Sequence, residues 1–211
     1  MAVPAQPRER RPAASVGRRG ATNGGARRPA RSWSALDAAG KRSRLLAAAE
    51  TVFARDGLGA PVPAIAAAAG VGVGSFYRAF AAKDEIVAAL AVQRLRWVQE
   101  RAERALEEPD PWSAFEGLLR TVAERQCADG VLAEALAAAF QRPEVAEPLA
   151  AARAAGQVVV ERAYAHGALR SEVTTEDMRA IFAALRAADA VEPGCGLRVL
   201  ELILAGLRAP E

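Results

Sequence analysis

The stretch "AAAAGVGVGSFYRAF", residues 66–80, carries three glycines at alternate positions, Gly70, Gly72 and Gly74. Glycines so spaced suit either a phosphate cradle or the bend and open face of a helix-turn-helix. A phosphate loop of the GxGxxG type needs a strand before it and a third glycine that packs the following helix against that strand. Here the third-glycine position is Ser75, and the preceding "PAIAAAAG" is a helix former. No GKS or GKT follows, so a Walker loop is excluded too. The phosphate-loop reading fails.

The helix-turn-helix reading places every residue. Ile65 and the small Ala66 face the next helix and let two helices cross closely. Gly70 supplies a left-handed bend that a Cβ would resist. Val71 plugs the bend from its apolar side, and Gly72 is a tolerable N-cap for the second helix. Phe76 and Phe80, four apart, share the stripe that anchors this helix. Its opposite face presents Val73, Ser75, Arg78 and Ala79, small groups and one arginine that suit entry into a major groove.

Around this unit the apolar period is helical throughout, with no convincing alternating strand. The first helix is expected over about 36–56, with Leu45, Leu46, Ala49, Val52 and Phe53 inward and Gly57 after its last turn. Pro61 and Pro63 fit the first turn of the second helix, where a missing N–H costs no intrahelical bond. A long helix over about 82–107 stops at "EEPDP". Asp110–Pro111 restarts the chain. Further helices are expected at about 111–128, 130–141, 143–166, 175–189 and 196–208, with Thr174 to Asp177 as a capping box and His166 at a helix end. The fold class is all-α with about nine helices: an N-terminal three-helix unit over 35–82 and a helical rear domain over 83–211.

Residues 1–34 are rich in Pro, Gly, Ala and Arg and cannot bury enough apolar area to offset ordering entropy, so they are read as a disordered arm. Charge is uneven: 1–35 carries a net +7, 36–90 a net +1, and 91–211 a net −5, from 14 basic and 19 acidic groups. That asymmetry points to a polyanion on one side only. The arm's arginine pairs (Arg10–Arg11, Arg18–Arg19, Arg27–Arg28) suit either phosphate tracking or a solvated tail. Two cysteines, Cys127 and Cys195, fit a reducing cytoplasm. A lone His166 argues against a histidine metal site or triad, and no cofactor loop or nucleophile–base pair supports an enzyme. No apolar run approaches the ~20 residues of a membrane span.

At "RLLAAAETVFARDGLGAPVPAIAAAAGVGVGSFYRAFAAKDEIVAAL", Arg44 to Leu90, the chain resembles the DNA-binding region of the tetracycline-repressor family of bacterial regulators. The resemblance rests on an aliphatic-plus-Phe helix ending in Gly, then "IA…AGV", then G-small-aromatic-Tyr-x-x-Phe and a lysine three residues on. "AYAHGALRSEVTTEDMRAIFAAL", Ala163 to Leu185, is similar to segments of the family's ligand domains. The resemblance implies a homodimeric regulator, most often a repressor, that binds double-stranded DNA at a pseudo-palindromic operator and releases it when a small molecule occupies the rear domain.

Carried over position by position, Tyr77 and Lys83 match residues that usually touch the DNA backbone. Gly72, Val73, Ser75, Arg78 and Ala79 fall where the family opens its recognition helix and touches bases. The usual capping hydroxyls are replaced by Ala60–Pro61 and Gly72, which shifts expected backbone affinity toward Lys41, Arg42, Arg44 and the arm. The aromatic and aliphatic set Trp97, Trp112, Phe115, Leu118, Leu119, Val122, Phe140 and Tyr164 reads as core or as the lining of a cavity for a mostly apolar ligand. The last two helices, about 175–189 and 196–208, are expected to pack in their own domain and to pair across a dimer. The rivals are a sequence-nonspecific DNA-coating protein that relies on its arm, and a helical adaptor without a DNA role.

Overall fold

The computed structural model describes residues 32–170 and 173–210, so the arginine pairs of the arm lie outside the described residues. Among the described residues there are nine α-helices: α1 (Ala38–Asp56), α2 (Val62–Ala68), α3 (Val73–Ala79), α4 (Lys83–Ala105), α5 (Pro111–Ala128), α6 (Gly130–Ala139), α7 (Pro143–Ala165), α8 (Thr175–Val191) and α9 (Cys195–Leu207). The only strand-like pairing among them is an isolated bridge between Leu169 and Arg208. No described helix is long and apolar enough to cross a membrane.

Local chemistry sets the boundaries. The Asp37 carboxylate caps α1 by accepting from the Gly40 N–H at 2.7 Å. Asp110 does the same for α5 through the Ser113 N–H at 2.8 Å. Thr174 and Asp177 form the reciprocal box at the start of α8. Pro61 and Pro63 stand at the N-cap and in the first turn of α2, and Pro111 opens α5. The α2–α3 bend closes as a Schellman motif: the Val71 N–H donates to Ala66 O and the Gly70 N–H to Ala67 O, both at 2.9 Å. Gly70 sits at φ +69°, where a side chain would be strained.

One difference from the sequence reading lies at the front. Trp33, read as part of the arm, belongs to a 3-10 turn (Trp33–Ala35) and packs on the first core with Lys41 6.0 Å from its ring centre. An indole this close to a core gains more from burial than the short turn costs to order.

Two apolar cores form. The first joins α1, α2 and α3 to the front half of α4, and takes Leu132, Leu136 and Ala139 from α6 and Val145 from α7. The second gathers α5, α7, α8 and α9 around Phe115, Leu119, Val159, Leu185 and Leu200. Helix α4 contributes to both, with Ile86 to Leu95 in the first and Ala102 in the second. At ~1.5 Å per residue it is a strut of roughly 34 Å between them.

Candidate nucleic-acid interface

Helix α3 has two distinct faces. Phe76 and Phe80 are fully buried, their rings 5.8 Å apart, and they fix the helix to the first core. Val73 is 38% and Tyr77 53% exposed, and Arg78 is exposed beside them. A Cβ added at Gly72 or Gly74 would meet nothing within 4 Å, so that face is open as well as small. Ser75 and Ala79 are half-buried at its edges. Tyr77 makes an edge-on contact with Phe76, ring centres 5.4 Å apart, while the residue as a whole stays exposed.

The surrounding cations divide. Arg42 turns inward: its guanidinium donates to Ala79 O at 2.7 Å, pairs with Glu85 at 3.3 Å and stacks 4.0 Å above the Phe80 ring. Glu85 in turn accepts from the Ala81 N–H at 2.7 Å, so one carboxylate holds both Arg42 and the loop entering α4. The Lys83 ammonium donates to Leu58 O and lies 5.7 Å from the Phe53 ring, bracing the loop after α1. Arg44 reaches the bend, with Nη2 3.1 Å from where a Gly70 Cβ would stand. Lys41, Arg42, Arg44 and Lys83 are the cations expected to contact DNA. In the fold, Arg42 and Lys83 also hold the end of α3 and the start of α4 in place. Glu85 is not among the residues expected from the sequence; its only local signal is an acid in the first turn of α4, since the N-cap is Ala82 and Glu85 accepts from the residue before it.

Behind this unit a cavity of about 610 Å³ opens among α4, α5, α6, α7 and α8, where the two cores meet. Of the residues proposed from sequence, Trp97, Phe115, Leu118, Leu119, Val122 and Phe140 line it. Trp112 and Tyr164 do not: both belong to the second core, and Trp112 is capped by the Arg208 guanidinium 5.3 Å from its ring centre. Trp97 carries Arg125 stacked at 4.6 Å, and Arg125 Nη2 pairs with Glu50 of α1 at 3.0 Å. A cavity wall is thereby linked to the front unit. Arg94, also in the wall, pairs with Asp129 at 2.7 Å, and burial together with the nearby Arg125 charge lowers its pKa while Asp129 opposes the shift. No cluster of potential metal ligands occurs among the described residues.

Residues 45–90 match the family model described as bacterial regulatory proteins, tetR family, and residues 110–209 match one described as the C-terminal domain of SbtR-like transcriptional regulators. A TetR transcription regulatory protein from Mycobacterium vanbaalenii is 30% identical, with 82% of this chain and 98% of that chain covered and a TM-score of 0.62. The chain belongs to the TetR family. It is therefore a DNA-binding transcriptional regulator and not an enzyme. The TetR regulator SCO0520 from Streptomyces coelicolor is 28% identical over 81% of this chain and 99% of that one, at a TM-score of 0.63. The ketosteroid regulator KstR2 of Mycobacterium tuberculosis shares the fold at 24% identity, 81% and 96% coverage and a TM-score of 0.60. A comparison with curated proteins gives no match.

Proposed function

We propose that this TetR-family regulator is a cytoplasmic repressor, acting as a homodimer on a pseudo-palindromic operator and released by a small, mostly apolar effector in the rear cavity. The observation that carries the reading is the two-sided α3, with both phenylalanines buried and Val73, Tyr77 and Arg78 exposed. Arg78 meets a base edge, with Val73, Ser75 and Ala79 against the groove floor and Gly72 and Gly74 permitting close approach. Tyr77, Lys41 and Arg44 contact phosphates. Lys83 adds charge there while bracing α4, and Arg42 acts by positioning α3.

Release runs through α4, which lines the cavity with Arg94, Leu95, Trp97 and Val98 and ends beside α3. An effector that displaces Trp97 alters the seat of Arg125 and its pairing with Glu50. In a dimer joined through α8 and α9, that shift changes the distance between the two α3 helices, which must match half-sites one turn or a multiple apart. Moving occupancy from 99:1 to 1:99 requires the effector to discriminate between the two states by ~5.5 kcal/mol. A gel-shift titration of the full chain on a selected symmetric duplex and on a scrambled one tests the reading. Two protomers per duplex and a preference of at least ~10³ are expected. A preference below tenfold favours the DNA-coating alternative.

A further inference from the structure

The cavity wall has a composition that its apolar character does not explain. Residues 91–211 carry a net charge of −5, yet among the residues whose side chains are described four arginines line the cavity (Arg94, Arg153, Arg179 and Arg186) and no aspartate or glutamate does. Arg94 has Asp129. Arg153, Arg179 and Arg186 form no ion pair or hydrogen bond among the described residues. Some rear-domain arginines pair with acids, as Arg120 does with Glu116 and Glu201, Arg142 with Asp84 and Glu144 and Arg198 with Glu192, whereas three of the four that line the cavity do not among the described residues.

Arg179 and Arg186 are seven residues apart on α8 with Phe182 between them, so both guanidinium groups edge the cavity face that Phe182 and Met178 make apolar. Arg153 stands on α7, the facing wall. Arg153 and Arg179 are exposed and Arg186 is half-buried, so an apolar ligand filling this space displaces water chiefly from Arg186 and from the cavity side of the rim without supplying a counter-charge, which is unfavourable. A ligand with an anionic end offsets that cost and gains charge-assisted, fork-like hydrogen bonds.

We propose that the effector is an amphipathic anion, its apolar body among Phe115, Leu119, Val122 and Phe140 and its carboxylate or phosphate end at the rim formed by Arg153, Arg179 and Arg186. This rests on the reading of the cavity as the effector site. The rim sets the class of ligand, and the apolar floor sets its length and bulk.

Four probes of one chain length separate the possibilities in titrations of the full-length protein followed by calorimetry and tryptophan emission: dodecanoate, dodecyl phosphate, dodecan-1-ol and dodecylamine. Both anions are expected to bind at least tenfold more tightly than the alcohol, and the amine more weakly still. The stronger of the two anions identifies carboxylate or phosphate as the natural head. The double variant Arg179→Glu/Arg186→Glu is expected to keep the helical circular-dichroism spectrum and cooperative urea unfolding of the wild type, which shows it is folded, while losing the anions at least tenfold and gaining the amine. Arg153→Gln gives a milder loss in the same direction. Equal binding of alcohol and anions, or an anion preference that survives the charge reversal, overturns the proposal and leaves the effector cavity standing. Failure of all four probes to saturate the protein defeats the cavity reading itself, and the proposal with it.

Discussion

The Arg42 guanidinium donates to the carbonyl oxygen of Ala79 across 2.7 Å, tying the first turn and a half of α1 to the last residue of α3. Ala79 O is one of the carbonyls a helix end leaves without an intrahelical partner, and a cation there also suits the local dipole. Phe80 beneath and Glu85 beside complete the seat.

Arg42→Gln should therefore cost ~1.5–3 kcal/mol of stability through the lost charged hydrogen bond. It should weaken operator binding while leaving the slope of log affinity against log salt unchanged. A phosphate contact would instead lower that slope by about one. Parallel urea unfolding and salt-dependent binding titrations separate the two roles.

Arg78→Ala carries the opposite signature. The side chain is exposed, so stability should stay within about 0.5 kcal/mol. Binding to the best operator should fall by ~1–3 kcal/mol, with discrimination lost at one base pair per half-site.

Three glycines distinguish kinds of backbone constraint. Gly196 has no room for a Cβ, which would stand 2.7 Å from Leu185 O and 2.9 Å from the Cys127 sulfur, so Gly196→Ala should destabilise by ~1–3 kcal/mol as α8 and α9 are pushed apart. Gly70→Ala should cost ~1–2 kcal/mol from the left-handed bend alone. Gly156, inside α7 with nothing within 4 Å, should tolerate Ala and gain up to about 1 kcal/mol. Thermal or urea unfolding of the three variants checks the order.

Burial pushes the Cys127 thiol up to about 12, helped by its hydrogen bond to Asp189 and that carboxylate's charge. Because the folded pKa lies above the ordinary 9.0, this stabilisation is complete below about pH 9 and is lost as pH rises toward 12. The urea midpoint of the wild type should fall over that window more than that of Cys127→Ala. Iodoacetamide should label the half-buried Cys127 more slowly in the native protein than after unfolding, and equally rapid labelling of both just below about pH 9 would contradict the assignment.

Much of this was legible in the residues. The Gly70 bend, the Phe76 and Phe80 anchor, the prolines at 61, 63 and 111 and the caps at Asp110 and Thr174 are local patterns with local physical causes, and they appear as read. What stayed hidden depends on contacts far apart in sequence. Nothing near Arg42 or Lys83 says that their cations will find Ala79 O and Leu58 O. Trp112 and Phe115 are three residues apart on one helix, yet Phe115 borders the cavity and Trp112 does not, a distinction set by how α9's tail closes over the indole. The arginine rim is assembled from α7 and α8 and shows in neither segment alone.

Selection of bound duplexes from a random DNA pool, run in parallel with the full-length protein and its Arg78→Ala variant, tests most directly that the exposed face of α3 reads sequence as a symmetric pair. The expected result is a two-fold symmetric motif with half-sites about 10 base pairs apart, or a multiple of that, and loss of one base preference per half-site in the variant. Recovery of no motif, or of the same motif from both proteins, would contradict it.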